Sequence, residues 1–224
     1  VIGFWPANSD GDDIILFDND TRSSELAIFH TLRQQSLHST DRPNYALSDF
    51  IAPKSSRVKD YIGGFVVTTG IGLDEIVEKF EADNDSYNSI LIKAIADRLA
   101  EALAEFMHEH VRTELWAYAK SESFSNADLI KEKYKGIRPA PGYPACPDHQ
   151  EKIGLFSILN AQDITGVTLT ETLAMLPASS VSGWYFSHPQ SKYFGLGKIA
   201  KDQLEDLAKR KGTNYESIKR WYSS

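Results

Sequence analysis

Arg138-Pro139-Ala140-Pro141-Gly142-Tyr143-Pro144-Ala145-Cys146-Pro147-Asp148-His149 carries four prolines in twelve residues. Each pyrrolidine ring fixes φ and removes a backbone donor, so the stretch can neither enter the interior of a sheet nor continue a helix. It reads as a stiff, extended wrap whose carbonyls point outward and which has little freedom left to lose on binding. Ala140, alone between two prolines, keeps both an N–H and a C=O, the donor and acceptor pair that reads the edge of adenine. Gly142 permits close backbone approach. Arg138 offers a planar fork for a carboxylate, and Tyr143 an aromatic face beside a cationic centre. Together these suit adenosine at one end and an amino acid at the other. A surface loop stiffened by proline and tied down by its Arg and Tyr fits the same residues.

Toward the N-terminus, Val1 to Trp5 is an apolar run, and its lack of an initiator Met reads as a piece of something longer. Asn8 to Asp13 forms a turn cluster, followed by a short strand over Ile14 to Phe17 and, after a second turn, a strand over Leu26 to Leu32. A polar loop with Pro43 and Pro53 leads to a buried strand, Tyr61 to Thr69. Gly70-Ile71-Gly72 and the helix Leu73 to Ala82 imitate a dinucleotide-binding turn. The third glycine is absent, and the acidic residue due about twenty residues on would fall in helix.

The longest helix runs from Asp85 or Ser86 to about Trp116. Its spacing predicts an apolar face of Ile92, Ile95, Leu99, Leu103 and Phe106. Ala94, Asp97, Glu101, Ala104 and His108 share the opposite side, where small residues leave room for an element or ligand to approach Glu101. A solvated glutamate paired with Arg98 or Lys93 is the plainer reading. Ser125 to Asp128 opens a helix that stops at Gly136, and Lys152 to Asn160 forms another. Val167 to Thr170, Leu173 to Leu176 and Val181 to Ser187 read as strands, Lys198 to Lys211 and Tyr215 to Tyr222 as helices, the last opened by a Thr213-x-x-Glu216 capping box. The fold predicted is α+β, a single domain over residues 1–224 with a twisted antiparallel sheet and packed helices.

The chain has 224 residues, 42% of them hydrophobic and 25% charged, enough for a core and too apolar for disorder. No apolar run approaches about 18 residues, so no membrane partner is expected. A net charge of −7 argues against nonspecific nucleic-acid binding. The basic end from Lys192 onward could steer an acidic partner or be a solvated helix face. One cysteine excludes a disulfide framework and suits the cytoplasm. Cys146 and His149 do not close a zinc site, and no known thiol-enzyme signature surrounds them. No metal is expected.

Ile137 to Pro147 resembles the S-adenosylmethionine-binding signature of the C-terminal activation domain of cobalamin-dependent methionine synthase. The likeness extends through Arg42-Pro43-Asn44-Tyr45, Asp60-Tyr61-Ile62-Gly63, Ala96 to Ala102, and Ser180 to Pro189, in the family's order. It implies that Arg138 binds the methionyl carboxylate and that backbone groups of Ala140 and Gly142 hold the nucleoside. Tyr143, the one catalytic candidate, would lie by the sulfonium and the cobalt face, with Glu101 and Tyr193 lining the same pocket. The methyl would go to cob(II)alamin held by a cobalamin-binding domain of the same polypeptide, with an electron from a flavodoxin-type donor. The family's Asp-x-His-x-x-Gly cobalamin motif and its zinc-binding cysteines are absent, so this fragment alone is not expected to make methionine. The resemblance also implies an upstream part of the domain, with an acidic residue for the ligand's amino group. A docking domain that binds a nucleotide-like ligand without reaction, and a thiol enzyme built on Cys146, are the alternatives.

Overall fold

A computed structural model describes residues 1–37 and 42–222; residues 38–41 of the polar loop and 223–224 lie outside it. The fold is mixed α/β with one curled antiparallel sheet. Its strands are β1 (Ile2–Asp10), β2 (Asp13–Phe17), β3 (Glu25–His30), β4 (Asp60–Thr68) and β7 (Ser180–Tyr185), in the order β3-β2-β1-β4-β7. A separate hairpin pairs β5 (Thr168–Leu169) with β6 (Met175–Leu176). Antiparallel neighbours on both sides of β4 exclude the parallel crossover of a dinucleotide-binding unit.

Both faces of β4 are buried, which is why Tyr61 to Thr69 is almost continuously apolar. Ile62 and Val66 join Trp184 and Phe186 in a core against α4 (Glu151–Leu159). Phe65 and Val67 join Tyr185 on the other face, against α2 (Ser86–His110). α1 (Leu73–Ala82) packs on α2, and α5 (Ala161–Thr165) follows α4. α6 (Lys201–Arg210) and α7 (Tyr215–Tyr222) close a smaller core of Leu32, Leu196, Leu204, Leu207 and Ile218. Lys211 ties them to the rest through Asp148 and Glu151, both at 2.6 Å.

Several local readings differ from the structure: the strand read over Leu173 to Leu176 is confined to Met175–Leu176, with Leu173 at a left-handed φ of 63°, and four others have a clear cause. β1 extends to Asp10 because the side chains of Asn8 and Ser9 are bonded inward, Asn8 to the carbonyls of Ala52 and Val58 and Ser9 to that of Ile51. α3 (Asn126–Ile130) ends well short of Gly136, where Glu132 takes a left-handed φ of 52°. At α7, Asn214 rather than Thr213 caps the helix, accepting from Ser217 N–H at 2.9 Å. The fourth correction concerns α2. Ile95, Leu99 and Phe106 are exposed, whereas Ala96, Ala100, Ala104 and His108 are buried. Phe65 and Tyr185 already fill the space above the sheet, so the helix can come down only on small side chains. A turn of π-helix, Val111–Leu115, continues α2.

This packing predicts that Ala100→Leu destabilises the fold by roughly 1–3 kcal/mol, while Leu99→Ala stays within about 0.5 kcal/mol. Urea unfolding of the two variants checks the orientation of α2.

Candidate functional site

The proline-rich strap lies along the free edge of β7. Ile137 and Phe186 exchange two backbone hydrogen bonds of 3.0 Å, and Trp184 N–H donates to the Pro139 carbonyl at 2.9 Å. Proline suits an edge, where one missing donor is tolerable. Gly183 makes the approach possible, since a Cβ there would lie 2.7 Å from the Pro139 oxygen. Beyond the edge the strap turns on itself: Tyr143 N–H donates to Ala140 C=O, Gly142 N–H to Cys146 C=O, and Cys146 N–H to Tyr143 C=O.

The outward-pointing carbonyls read from the sequence are therefore largely consumed. Ala140 in particular does not keep both groups free, because its carbonyl closes the turn. By strand alternation the Arg138 carbonyl and the Ala140 N–H face away from β7, and neither has a partner among the described residues. An outward acceptor and donor survive, two residues apart.

These groups border a cavity of about 520 Å³ lined by Glu101, Glu132, Arg138, Ala140, Tyr143 and Tyr193, with Phe65, Val181 and Phe194 supplying apolar wall. Gly142 lines an adjoining annex of about 120 Å³ that shares Glu101, Ala140 and Tyr143 with the main cavity. All six residues singled out in the sequence thus meet in one place. Gly142 serves differently from expectation: at a φ of 101° its Cβ position is filled by the His149 ring, so the glycine makes room for an imidazole rather than for a ligand. Tyr143 is 58% exposed. The Tyr193 hydroxyl accepts from Arg138 N–H at 3.0 Å and braces the strap.

Arg138 reaches the cavity from a layer of polar groups that the sequence reading did not assign. Its Nη2 donates to Glu105 Oε2 at 2.7 Å, and its Nη1 lies 3.1 Å from the Tyr134 hydroxyl and 3.2 Å from His108 Nδ1. His108 is 0% exposed, and its ring stacks on Tyr185 at 5.3 Å. Burial, with Arg112 and Arg138 nearby, pushes its pKa well below the ordinary 6.5. Arg112, also 0% exposed, grips Glu122 through Nε and Nη2 at 2.6–3.0 Å, with its guanidinium 4.2 Å from the centre of the Tyr134 ring. Burial raises the hydroxyl pKa of Tyr134, Tyr118 and Tyr185 alike, keeping them neutral. The signal for this layer was present: Glu101, Glu105, His108 and Arg112 fall at i, i+4, i+7 and i+11, one stripe of α2 and of the π-helical turn that continues it.

Cys146 is buried and its thiol is pushed well above its ordinary pKa by that burial, which disfavours the thiolate a nucleophile needs. No group of three or more His, Cys, Asp or Glu among the described residues is placed to hold a metal ion. No helix among them is long and apolar enough to cross a membrane.

The depressed His108 pKa has a thermodynamic sign. The unfolded chain takes up the proton first, so as pH falls below about 6.5 this group withdraws stability, by up to about 1.4 kcal/mol per pH unit, until its folded-state value is reached. Urea melts between pH 7 and pH 5 should show the parent chain losing more stability than His108→Asn.

A family model described as "Vitamin B12 dependent methionine synthase, activation domain" matches residues 1–212. Among solved structures, a crystal structure of the MetH reactivation domain bound to AdoHcy is similar to the chain with a TM-score of 0.96 and 51% sequence identity. That likeness covers 99% of this chain and 68% of the other.

Proposed function

The chain belongs to the family of vitamin B12 dependent methionine synthase activation domains, and from that premise we propose that it binds S-adenosylmethionine in the cavity between the strap and α2. Membership makes it part of a methyltransferase, methionine synthase. The observation that carries the reading is the meeting of Glu101, Arg138, Ala140, Tyr143 and Tyr193 on one cavity of about 520 Å³. AdoHcy, bound by the similar reactivation domain, is the demethylated form of the same ligand.

The residues fit such a ligand. Arg138 has Nε–H and a second Nη2–H without partners among the described residues, enough to receive a carboxylate. The Ala140 N–H and Arg138 C=O offer a donor and an acceptor to a nucleobase edge. Gly142 acts on the nucleoside through the turn it shapes. Glu101 and Glu132 give the cavity negative charge that favours a sulfonium, and the exposed Tyr143 ring offers it a π face. A sulfonium already carries an activated methyl, so positioning and electrostatics suffice and Glu101 needs no role as a base. Tyr143, the most exposed aromatic of the cavity, is the residue to which we assign contact with the reacting centre.

In this proposal the chain presents the methyl group for reductive methylation of cob(II)alamin held by the cobalamin-binding domain of the same polypeptide. A flavodoxin-type donor supplies the electron, in the cytoplasm. The family's cobalamin and zinc motifs are absent from the sequence, which supports a module that works only with its neighbours.

Calorimetric titration with S-adenosylmethionine and S-adenosylhomocysteine tests the binding step. Both should bind, and Arg138→Ala should weaken binding by on the order of 2–5 kcal/mol. Undiminished affinity in that variant would overturn the assignment of Arg138. Label transfer from a methyl-labelled donor to an added cobalamin-loaded module, with an electron donor present, separates reaction from binding alone.

A further inference from the structure

Arg112, Arg33 and Arg138 bind carboxylates in three different ways, and the comparison isolates what is unusual about Arg138. Arg112 gives Nε and Nη2 to Glu122. That bidentate grip takes the Nε/Nη2 edge and leaves Nη1 buried without a partner among the described residues. Arg33 holds two carboxylates at once, Asp12 through Nε and Nη2 and Asp49 through Nη1 and Nη2. Arg138 has the Arg33 arrangement with one anion missing. Glu105 takes Nη2 alone, at 2.7 Å, while Nη1 is occupied by neutral groups, Tyr134 at 3.1 Å and His108 at 3.2 Å.

Resting on the reading of Arg138 given above, we propose that His108 is a positioning residue for carboxylate recognition: by accepting from Nη1, its Nδ1, together with Glu105 on Nη2, fixes the plane of the guanidinium and leaves Nε–H turned to the ligand.

The geometry asks for a lone pair on Nδ1, hence a proton on Nε2, where the Tyr118 hydroxyl lies 3.5 Å away. The surroundings enforce that form. Arg112 and Arg138 flank the ring, Tyr185 stacks on it and Tyr134 meets it edge-on at 5.0 Å. A protonated imidazole would put a third cation in this layer and turn Nδ1 into a donor facing a donor. Rotation of the ring is blocked by the Tyr185 stack, so the lone pair stays aimed at Arg138. With an apolar residue at 108, Nη1 loses one of its two acceptors and the guanidinium is free to turn about its Glu105 contact, carrying Nε away from the ligand.

Titration calorimetry with two ligands that differ only in the carboxylate, S-adenosylmethionine and decarboxylated S-adenosylmethionine, reads this directly. His108→Leu should weaken the first by roughly tenfold or more and leave the second within about twofold of the parent chain. His108→Asn, whose side-chain oxygen can stand where Nδ1 stood, should recover most of the loss. Should His108→Leu fail to fold, Tyr134→Phe carries the same expectation, since it removes the other Nη1 acceptor and keeps the ring beneath Arg112. Equal weakening of both ligands would make His108 merely structural and overturn the proposal, as would no weakening of either. Arg138→Ala separates this from failure of the underlying reading. If that variant discriminates between the two ligands and the His108 and Tyr134 variants do not, only the positioning role falls. If it does not discriminate, the carboxylate assignment falls with it.

Discussion

The arrangement of the site depends on two backbone contacts, those that join Ile137 to Phe186 and Pro139 to Trp184 along the edge of β7. They convert a segment that has little secondary structure of its own into a sixth, partial strand. Its prolines sit where a missing donor is tolerable, and the strap covers part of an edge that would otherwise be open to another chain. Strand alternation then dictates the rest: the backbone groups of residues 137 and 139 turn toward the edge strand, so the Arg138 carbonyl and the Ala140 N–H turn away from it, on the stretch that lines the cavity. Gly183 is the local condition for this, because the strap's oxygen occupies the volume a side chain would need.

On the opposite wall, α2 is brought close by alanine. A helix seated on large side chains would stand farther from the sheet, and Glu101 and Glu105 would be carried out of reach of the strap. The same close seating buries His108 and Arg112 completely. Such burial is costly for charge, and it is offset by the paired Glu122 and by the aromatic face of Tyr134 rather than by solvent. Rigidity is the return: the groups behind Arg138 are interlocked through rings and ion pairs that have no alternative partners in water.

Much of this was legible in the sequence, and the parts that were not share a cause. Strand and helix positions followed from period and turn chemistry, and the cavity residues Arg138, Tyr143, Glu101 and Tyr193 were indicated by motif. The buried face of α2 was misjudged because Leu99 and Phe106 outrank alanine in any hydrophobic count, while the deciding quantity, the volume already filled by Phe65 and Tyr185, belongs to strands far away in the chain. The fate of the strap's carbonyls was hidden in part for the same reason: Pro139 gives its carbonyl to an edge strand some forty residues later, while those of Ala140, Tyr143 and Cys146 close turns within the strap itself. Glu105 and His108 stood at helical spacing from Glu101, yet a stripe of polar residues says nothing of whether it faces water or a guanidinium until the partner element is known. The asparagine and serine of β1 were read as turn formers because their propensity is local, whereas their hydrogen bonds reach across to residues 51, 52 and 58.

The location of the one cysteine has a practical consequence for measuring motion in this chain. Cys146 is a buried residue of the strap, shielded from solvent and held in its thiol form. A second cysteine placed on any exposed position would carry the sole readily labelled sulfur, without first engineering the native one away. A nitroxide or fluorophore attached beside the cavity, on the strap or on the outer surface of α2, would then report local motion at that one point of an otherwise unaltered protein.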